Sequence, residues 1–301
     1  MSRRGFLASL LAASFLPNLN DARADQYGSI LMRSIPSTGD KIPAVGLGTS
    51  DEFESTGQDL DPLRAVIRRF ADLGGTLVDT APIYGDAETI IGELVDDLGL
   101  VDQLFIATKV RTKGKQAGIE QMERSQRLLM KKPLDLMQVH SLVDVKTQLA
   151  NLRQWKEEGR VRYIGITHSR VSAFPELEHL MRTEALDFVQ LNYSFTEPDA
   201  EERLLPLADD KGIAILANRP FQNGQMFRRV KGKSLPPWAA NFNCHSWAQF
   251  SLKYILAHPA VTCVIPATSN PDHLVDNMGA GLGRLPDEAT RRHMREYVAS
   301  L

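Results

Sequence analysis

The chain has 301 residues, 43% of them hydrophobic and 24% charged, with a formal net charge of -2. That length suits a single α/β barrel, the near-neutral charge excludes a general pull toward nucleic acid, and no apolar run reaches transmembrane length. Two cysteines, Cys244 and Cys263, form neither a CxxC pair nor a Cys/His cluster, which argues against a structural zinc site. They read as two unrelated thiols, although an exported protein could pair them.

At the N-terminus, Arg3 and Arg4 precede an apolar stretch at 6–16, and Ala22-Arg23-Ala24 follows. Charged, apolar and small-residue regions in that order describe an export leader with its cleavage site. Paired arginines mark the route that carries folded cargo. This reading gives a twin-arginine signal over 1–24, one barrel domain over 25–301, a periplasmic location, and the twin-arginine export machinery as a partner. The alternative is a basic amphipathic helix that stays attached.

Next, the runs 30–35 and 41–45 flank Pro36-Ser37-Thr38-Gly39-Asp40. They predict a β-hairpin placed to cap the N-terminal mouth of a barrel. Eight short β-branched or apolar runs then alternate with helices. They are 44–48, 76–79, 104–108, 134–140, 161–167, 187–192, 213–217 and 261–266. Helical spacing is plain in Leu149, Leu152 and Trp155 within 146–158, ended by Gly159. Such alternation implies parallel strands joined by crossovers, and eight units close into an α/β fold of the (β/α)8 TIM-barrel type. An open doubly wound sheet is the alternative. Its glycine fingerprint is missing, because Gly46-Leu47-Gly48-Thr49-Ser50 has no third glycine and no helix directly after it. Beyond the last strand, 270–281 and 286–300 predict two further helices. The connection 219–245 exceeds the usual loop length, which marks it as functional or disordered.

In such a barrel the chemistry gathers at the C-terminal strand ends. There the sequence places Asp79, Tyr84, Lys109 and His140. Singly, each has an ordinary explanation: a helix cap, a turn residue, a solvated cation, a core histidine. Together they make a proton donor. A phenol titrates near ~10, and a neighbouring ammonium lowers that value. A carboxylate fixes the ammonium, and a histidine shares the substrate oxygen.

The stretches DTAPIYG (79–85), IATK (106–109) and MQVH (137–140) carry these residues. With IPSTGDKIPAVGLGTS (35–50) and VIPATSNPDHLVDN (264–277), they resemble the aldo-keto reductase family over nearly the whole mature chain. The resemblance implies a TIM barrel with a hairpin plug and extra C-terminal helices. It implies NADPH-dependent reduction of aldehydes and ketones, with Tyr84 as general acid, Lys109 and Asp79 tuning it, and His140 orienting the carbonyl. It also implies cofactor contacts from Thr49, from Gln190, and from Thr167-His168, which stands where the family has Ser-Asn. Asn218, Arg219 and Phe221 occupy the region where members often stack a tyrosine on the nicotinamide.

Toward the adenosine, the resemblance assigns Thr268 and Ser269 at a helix N-terminus that favours anions, and Asn277 for the adenine. His273 stands in place of an arginine for the 2′-phosphate, and Ala267 where a lysine is frequent. Losing cations weakens 2′-phosphate affinity; the resemblance favours NADP(H), with NAD(H) open, and implies no metal. Ser50 replaces an aromatic and opens a wall that Trp238, Phe242 or Trp247 could rebuild. Arg228, Arg229, Lys231 and Lys233 either fold over the pyrophosphate or form a solvated basic loop. Because the family includes regulatory β subunits of potassium channels, a non-catalytic nucleotide-binding barrel is the second functional reading.

Overall fold

The computed structural model of the chain describes residues 29–54, 57 and 59–301. The export leader read at 1–24 lies outside them. Strands β1 (Met32–Ser34) and β2 (Lys41–Pro43) pair antiparallel, with Arg33 opposite Ile42. Eight parallel strands follow in sequence order: β3 (Leu47–Gly48), β4 (Leu77–Asp79), β5 (Phe105–Val110), β6 (Leu134–His140), β7 (Val161–His168), β8 (Phe188–Asn192), β9 (Ala214–Asn218) and β10 (Val261–Val264). Each overlaps one predicted run.

The sheet returns on itself. Val45 bridges Val264 and Gly48 bridges Ala267, both parallel. The Gly46 N–H donates to Val264 O at 2.8 Å and the Gly48 N–H to Pro266 O at 2.9 Å. Closure needs glycine at 48, because a Cβ there would meet the Ile265 carbonyl at 2.8 Å. The crossover helices that cover the barrel are α1 (Asp61–Asp72), α2 (Ala87–Asp97), α3 (Lys115–Leu128), α4 (Val145–Glu157), α5 (Phe174–Thr183), α6 (Leu204–Lys211) and, beyond the short α7 (Gln225–Arg229), α8 (Trp247–Leu256). Two more, α9 (Pro271–Gly279) and α10 (Glu288–Ala299), follow β10.

Side chains alternate faces along a strand, so residues two apart share the barrel interior. Its lower part is apolar. Leu77, Phe105, Leu136, Tyr163, Phe188 and Ala214 form one buried cluster with Ile35 and Ile42 of the hairpin. Two or four residues further along the same or adjacent strands the series turns polar, with Asp79, Lys109, Gln138, Thr167, Gln190 and Asn218. The pleat therefore sets a polar layer directly on a hydrophobic floor. The hairpin is pinned below that floor. The Tyr163 hydroxyl donates to Asp40 Oδ2 at 2.6 Å and lies 2.8 Å from Thr38 Oγ1.

Strand starts share a device. Asp135 accepts the Ile106 N–H at 2.9 Å, and Asp187 accepts the Ile164 N–H at 2.9 Å and the Lys156 ammonium at 2.6 Å. Each carboxylate satisfies a buried backbone donor on the neighbouring strand.

The 219–245 connection is ordered, containing α7 and a 3₁₀ segment Pro237–Phe242. Trp238 packs on Phe242, Phe250, His293 and Tyr297, so it and Phe242 build core rather than a pocket wall. Cys244 and Cys263 are buried and unpaired, and burial pushes the Cys244 thiol up to about 12. Among the described residues no helix is long and apolar enough to cross a membrane.

Asp187→Ala strips the Ile164 N–H of its partner. The expected loss is about 1–3 kcal/mol, the penalty of an unsatisfied buried donor, read as a lower urea midpoint. An unchanged midpoint would refute this role for Asp187.

Candidate active site

Lys109 comes from β5 and is fully buried, and Asp79 ends β4 and is 3% exposed. Lys109 Nζ lies 2.6 Å from Asp79 Oδ2 and donates to Thr80 O at 2.7 Å. The second oxygen, Asp79 Oδ1, accepts from Gln190 Nε2 at 2.7 Å and Gln138 Nε2 at 3.4 Å. Thr49 Oγ1 donates to the Asp79 carbonyl at 3.0 Å. Gln190 is thereby oriented: its Oε1 accepts from Thr167 Oγ1 at 3.1 Å and Asn218 Nδ2 at 3.4 Å.

Above the pair stands Tyr84, whose ring centroid is 5.1 Å from Lys109 Nζ. Its ring meets that of His140 edge-on at 6.3 Å. His140 ends β6, and its Nδ1 lies 2.8 Å from Ser141 Oγ. Ser141 has a left-handed backbone, as do Asp51, Arg219 and Asn223 in other loops of the same rim. Strained backbone of this kind concentrates where side chains must be aimed.

These groups open into a cleft of about 1100 Å³. Of the residues selected from sequence, Thr49, Asp79, Tyr84, His140, Thr167, His168, Gln190, Asn218, Arg219, Phe221, Thr268, His273 and Asn277 line it. Lys109 lies beneath the surface. Ser269 is not a lining residue; Glu52, which lines the cleft, takes its N–H at 2.9 Å. Ser50 and Trp247 line the wall.

The basic residues 228, 229, 231 and 233 do not line the cleft. Instead the connection contributes Asn223, Gly224 and the exposed Phe227, while Lys233 Nζ donates to Leu301 O. Arg219 Nη1 donates to Ser169 O at 3.0 Å and Nε to Asn223 Oδ1 at 3.3 Å, which fixes the rim between two loops. Sequence inspection passed over Gln138 and Glu52. Gln138 was within reach, since it shares the inner face with His140 two residues on. Glu52 was not, because its partner is 217 residues away.

Burial raises the Tyr84 phenol above its ordinary value, the Lys109 charge pulls it back, and the net direction is upward. This reverses the expected lowering and leaves the phenol protonated at neutral pH. Burial disfavours the Lys109 ammonium, but the charge and hydrogen bond of the Asp79 carboxylate outweigh it, and Lys109 stays charged. Burial, then the charges of Lys109 and Arg111, lower His140 to about 3. No cluster of potential metal ligands occurs among the described residues.

The chain belongs to the aldo/keto reductase family, whose profile matches residues 44–294. It is 29% identical over 208 residues to aldo-keto reductase YhdN of Bacillus subtilis, spanning 61% of this chain and 60% of that protein. It is 28% identical over 253 residues to methylglyoxal reductase YeaE of Escherichia coli, spanning 81% and 88%. The aldo-keto reductase of Klebsiella pneumoniae in complex with NADPH superposes with a TM-score of 0.74 at 22% identity, over 89% of this chain and 96% of that one. That last likeness shows the fold.

His140 binds no proton in the folded state between about 3 and its ordinary 6.5, whereas the unfolded chain does. Its contribution therefore makes stability rise with pH across that window. NMR titration of the imidazole is expected to show a neutral His140 at pH 5. A midpoint near 6.5 would contradict this environment.

Proposed function

We propose that this protein is a carbonyl reductase, converting aldehydes or ketones to alcohols with a nicotinamide dinucleotide, NADP(H) or NAD(H). The observation that carries the reading is the buried Asp79–Lys109 pair beneath Tyr84, with His140 beside the phenol at the rim of a large cleft. The name of the E. coli relative supports a small reactive carbonyl as substrate, and the NADPH of the Klebsiella protein supports a dinucleotide.

The cleft fits such a cofactor. Asn218 Oδ1 is a buried acceptor without a partner, beside Gln190, and suits a carboxamide N–H. Thr167, His168, Gln190, Asn218, Arg219 and Phe221 would hold the nicotinamide end. Thr49, Thr268, His273 and Asn277 would serve the remainder, and Ser269, whose N–H and hydroxyl go to Glu52, would join them only with Glu52 displaced. When bound, the dinucleotide supplies a hydride from nicotinamide C4 to the carbonyl carbon.

In this reading Tyr84 gives its hydroxyl proton to the carbonyl oxygen. The Lys109 ammonium stabilises the phenolate left behind, and Asp79 keeps the ammonium in place. Neutral His140, with Nδ1 engaged by Ser141, has Nε2 to orient the substrate oxygen. A regulatory barrel would have no use for a desolvated ammonium under a phenol, so the catalytic reading is preferred. The leader extends the proposal. Residues 1–24 export the barrel domain, 25–301, to the periplasm through the twin-arginine machinery, on the support of Arg3-Arg4, the apolar stretch and Ala22-Arg23-Ala24.

Tyr84→Phe is expected to lower aldehyde-dependent oxidation of the reduced dinucleotide by about 10²–10⁴-fold, the usual range for a lost acid, while dinucleotide binding persists. A variant with wild-type turnover would remove Tyr84 from its role. Changing Arg3 and Arg4 together to lysine is expected to hold the full-length chain in the cytoplasm, whereas the unchanged chain yields a periplasmic species starting near Asp25 by mass spectrometry. Periplasmic recovery independent of both arginines would defeat the export route.

A further inference from the structure

Where the cleft meets the start of α9, it already holds a carboxylate. The loop after β3 carries Glu52 to the start of α9, where Glu52 Oε2 accepts the Ser269 N–H at 2.9 Å and the Ser269 hydroxyl as well. The donors that follow are also taken. Asn270 Oδ1 accepts the N–H groups of Asp272 at 2.8 Å and His273 at 3.3 Å, and the Asn270 N–H goes to Thr268 Oγ1 at 3.1 Å. The backbone donors that a helix start would offer an anion are thus spent on the chain's own oxygens. The local charge agrees. Asp276 also lines the cleft, Arg69 Nη1 lies 3.8 Å from Asp272, and His273 is the basic side chain that α9 itself adds to the lining.

The next step rests on the reading of the cleft as a dinucleotide site. The nicotinamide must lie beside Tyr84, so the adenosine falls toward Thr268 and Asn277. The group that distinguishes NADP(H) from NAD(H) is the phosphate on the adenosine ribose. We propose that Glu52 is the specificity-determining residue for the dinucleotide. Its carboxylate fills the seat a 2′-phosphate needs and turns the cleft toward NAD(H). A ribose hydroxyl can donate to a carboxylate, as acidic residues do in other NAD sites. A phosphate meets like charge and finds the Ser269 donors occupied until Glu52 is displaced.

The test is direct binding of NADH and NADPH to the full chain, by calorimetry or by quenching of Trp247, which lines the cleft. Wild type is compared with Glu52→Gln and Glu52→Ala; the glutamine keeps an oxygen for Ser269 and so preserves the local fold. Wild type is expected to bind NADH at least as tightly as NADPH. Both variants are expected to tighten NADPH by about tenfold or more while NADH binding holds or weakens, most in Glu52→Ala, which loses the acceptor for the ribose hydroxyl; a tenfold change is ~1.4 kcal/mol. 2′,5′-ADP and 5′-ADP as competitors should split in the same way. If wild type prefers NADPH strongly, or the variants leave NADPH affinity unchanged, the role of Glu52 is overturned while the dinucleotide reading stands. If neither dinucleotide binds to wild type or variants, that reading fails as well.

Discussion

The upper half of the barrel depends on one ion pair. Lys109 and Asp79 are both out of water and 2.6 Å apart. Desolvating each charge costs several kcal/mol, and close contact offsets that only when the remaining hydrogen-bonding capacity is met. Here it is met by Thr80 O on the ammonium and by two glutamine amides on the carboxylate. These demands propagate. Gln190 must present its nitrogen to Asp79, so its oxygen faces Thr167 and Asn218. Six strands, β4 to β9, are thereby tied together around one buried ion pair, and Tyr84 and His140 are set above it.

Much of this was legible in the sequence because it follows from short-range rules. Eight β-branched or apolar runs spaced by amphipathic helices favour a closed parallel barrel over an open doubly wound sheet, and the observed strands β3 to β10 fall on those runs. Period-two alternation then aims Asp79, Lys109 and His140 at the same interior. What escaped depends on contacts between distant segments. By sequence Trp238 is a candidate for the pocket wall, and its packing on the aromatic side chains of α8 and α10 places it in the core instead. Arg228, Arg229, Lys231 and Lys233 lie off the cleft, to which α7 presents Phe227 instead. The direction of the Tyr84 shift depends on how deeply the ring is buried relative to its distance from Lys109, a balance that residue order does not encode.

The two proposals about cofactor and export bear on each other. A folded-cargo route would let the barrel leave the cytoplasm with a dinucleotide already seated in the cleft. The rim suits retention, since Arg219 ties two loops together and the exposed Phe227 adds an aromatic side chain to the lining. A carboxylate at the adenosine end, at Glu52, would then decide which dinucleotide travels with the protein.

The central claim is that Asp79 and Lys109 act as one unit that makes Tyr84 a proton donor. A double-mutant cycle with Asp79→Asn and Lys109→Met, read in single-turnover reduction of an aldehyde, tests it most directly. Residues that act as a unit are strongly non-additive. The account predicts that the double variant loses no more rate than the worse single variant. Losses that multiply in full would show two independent contributions and contradict it.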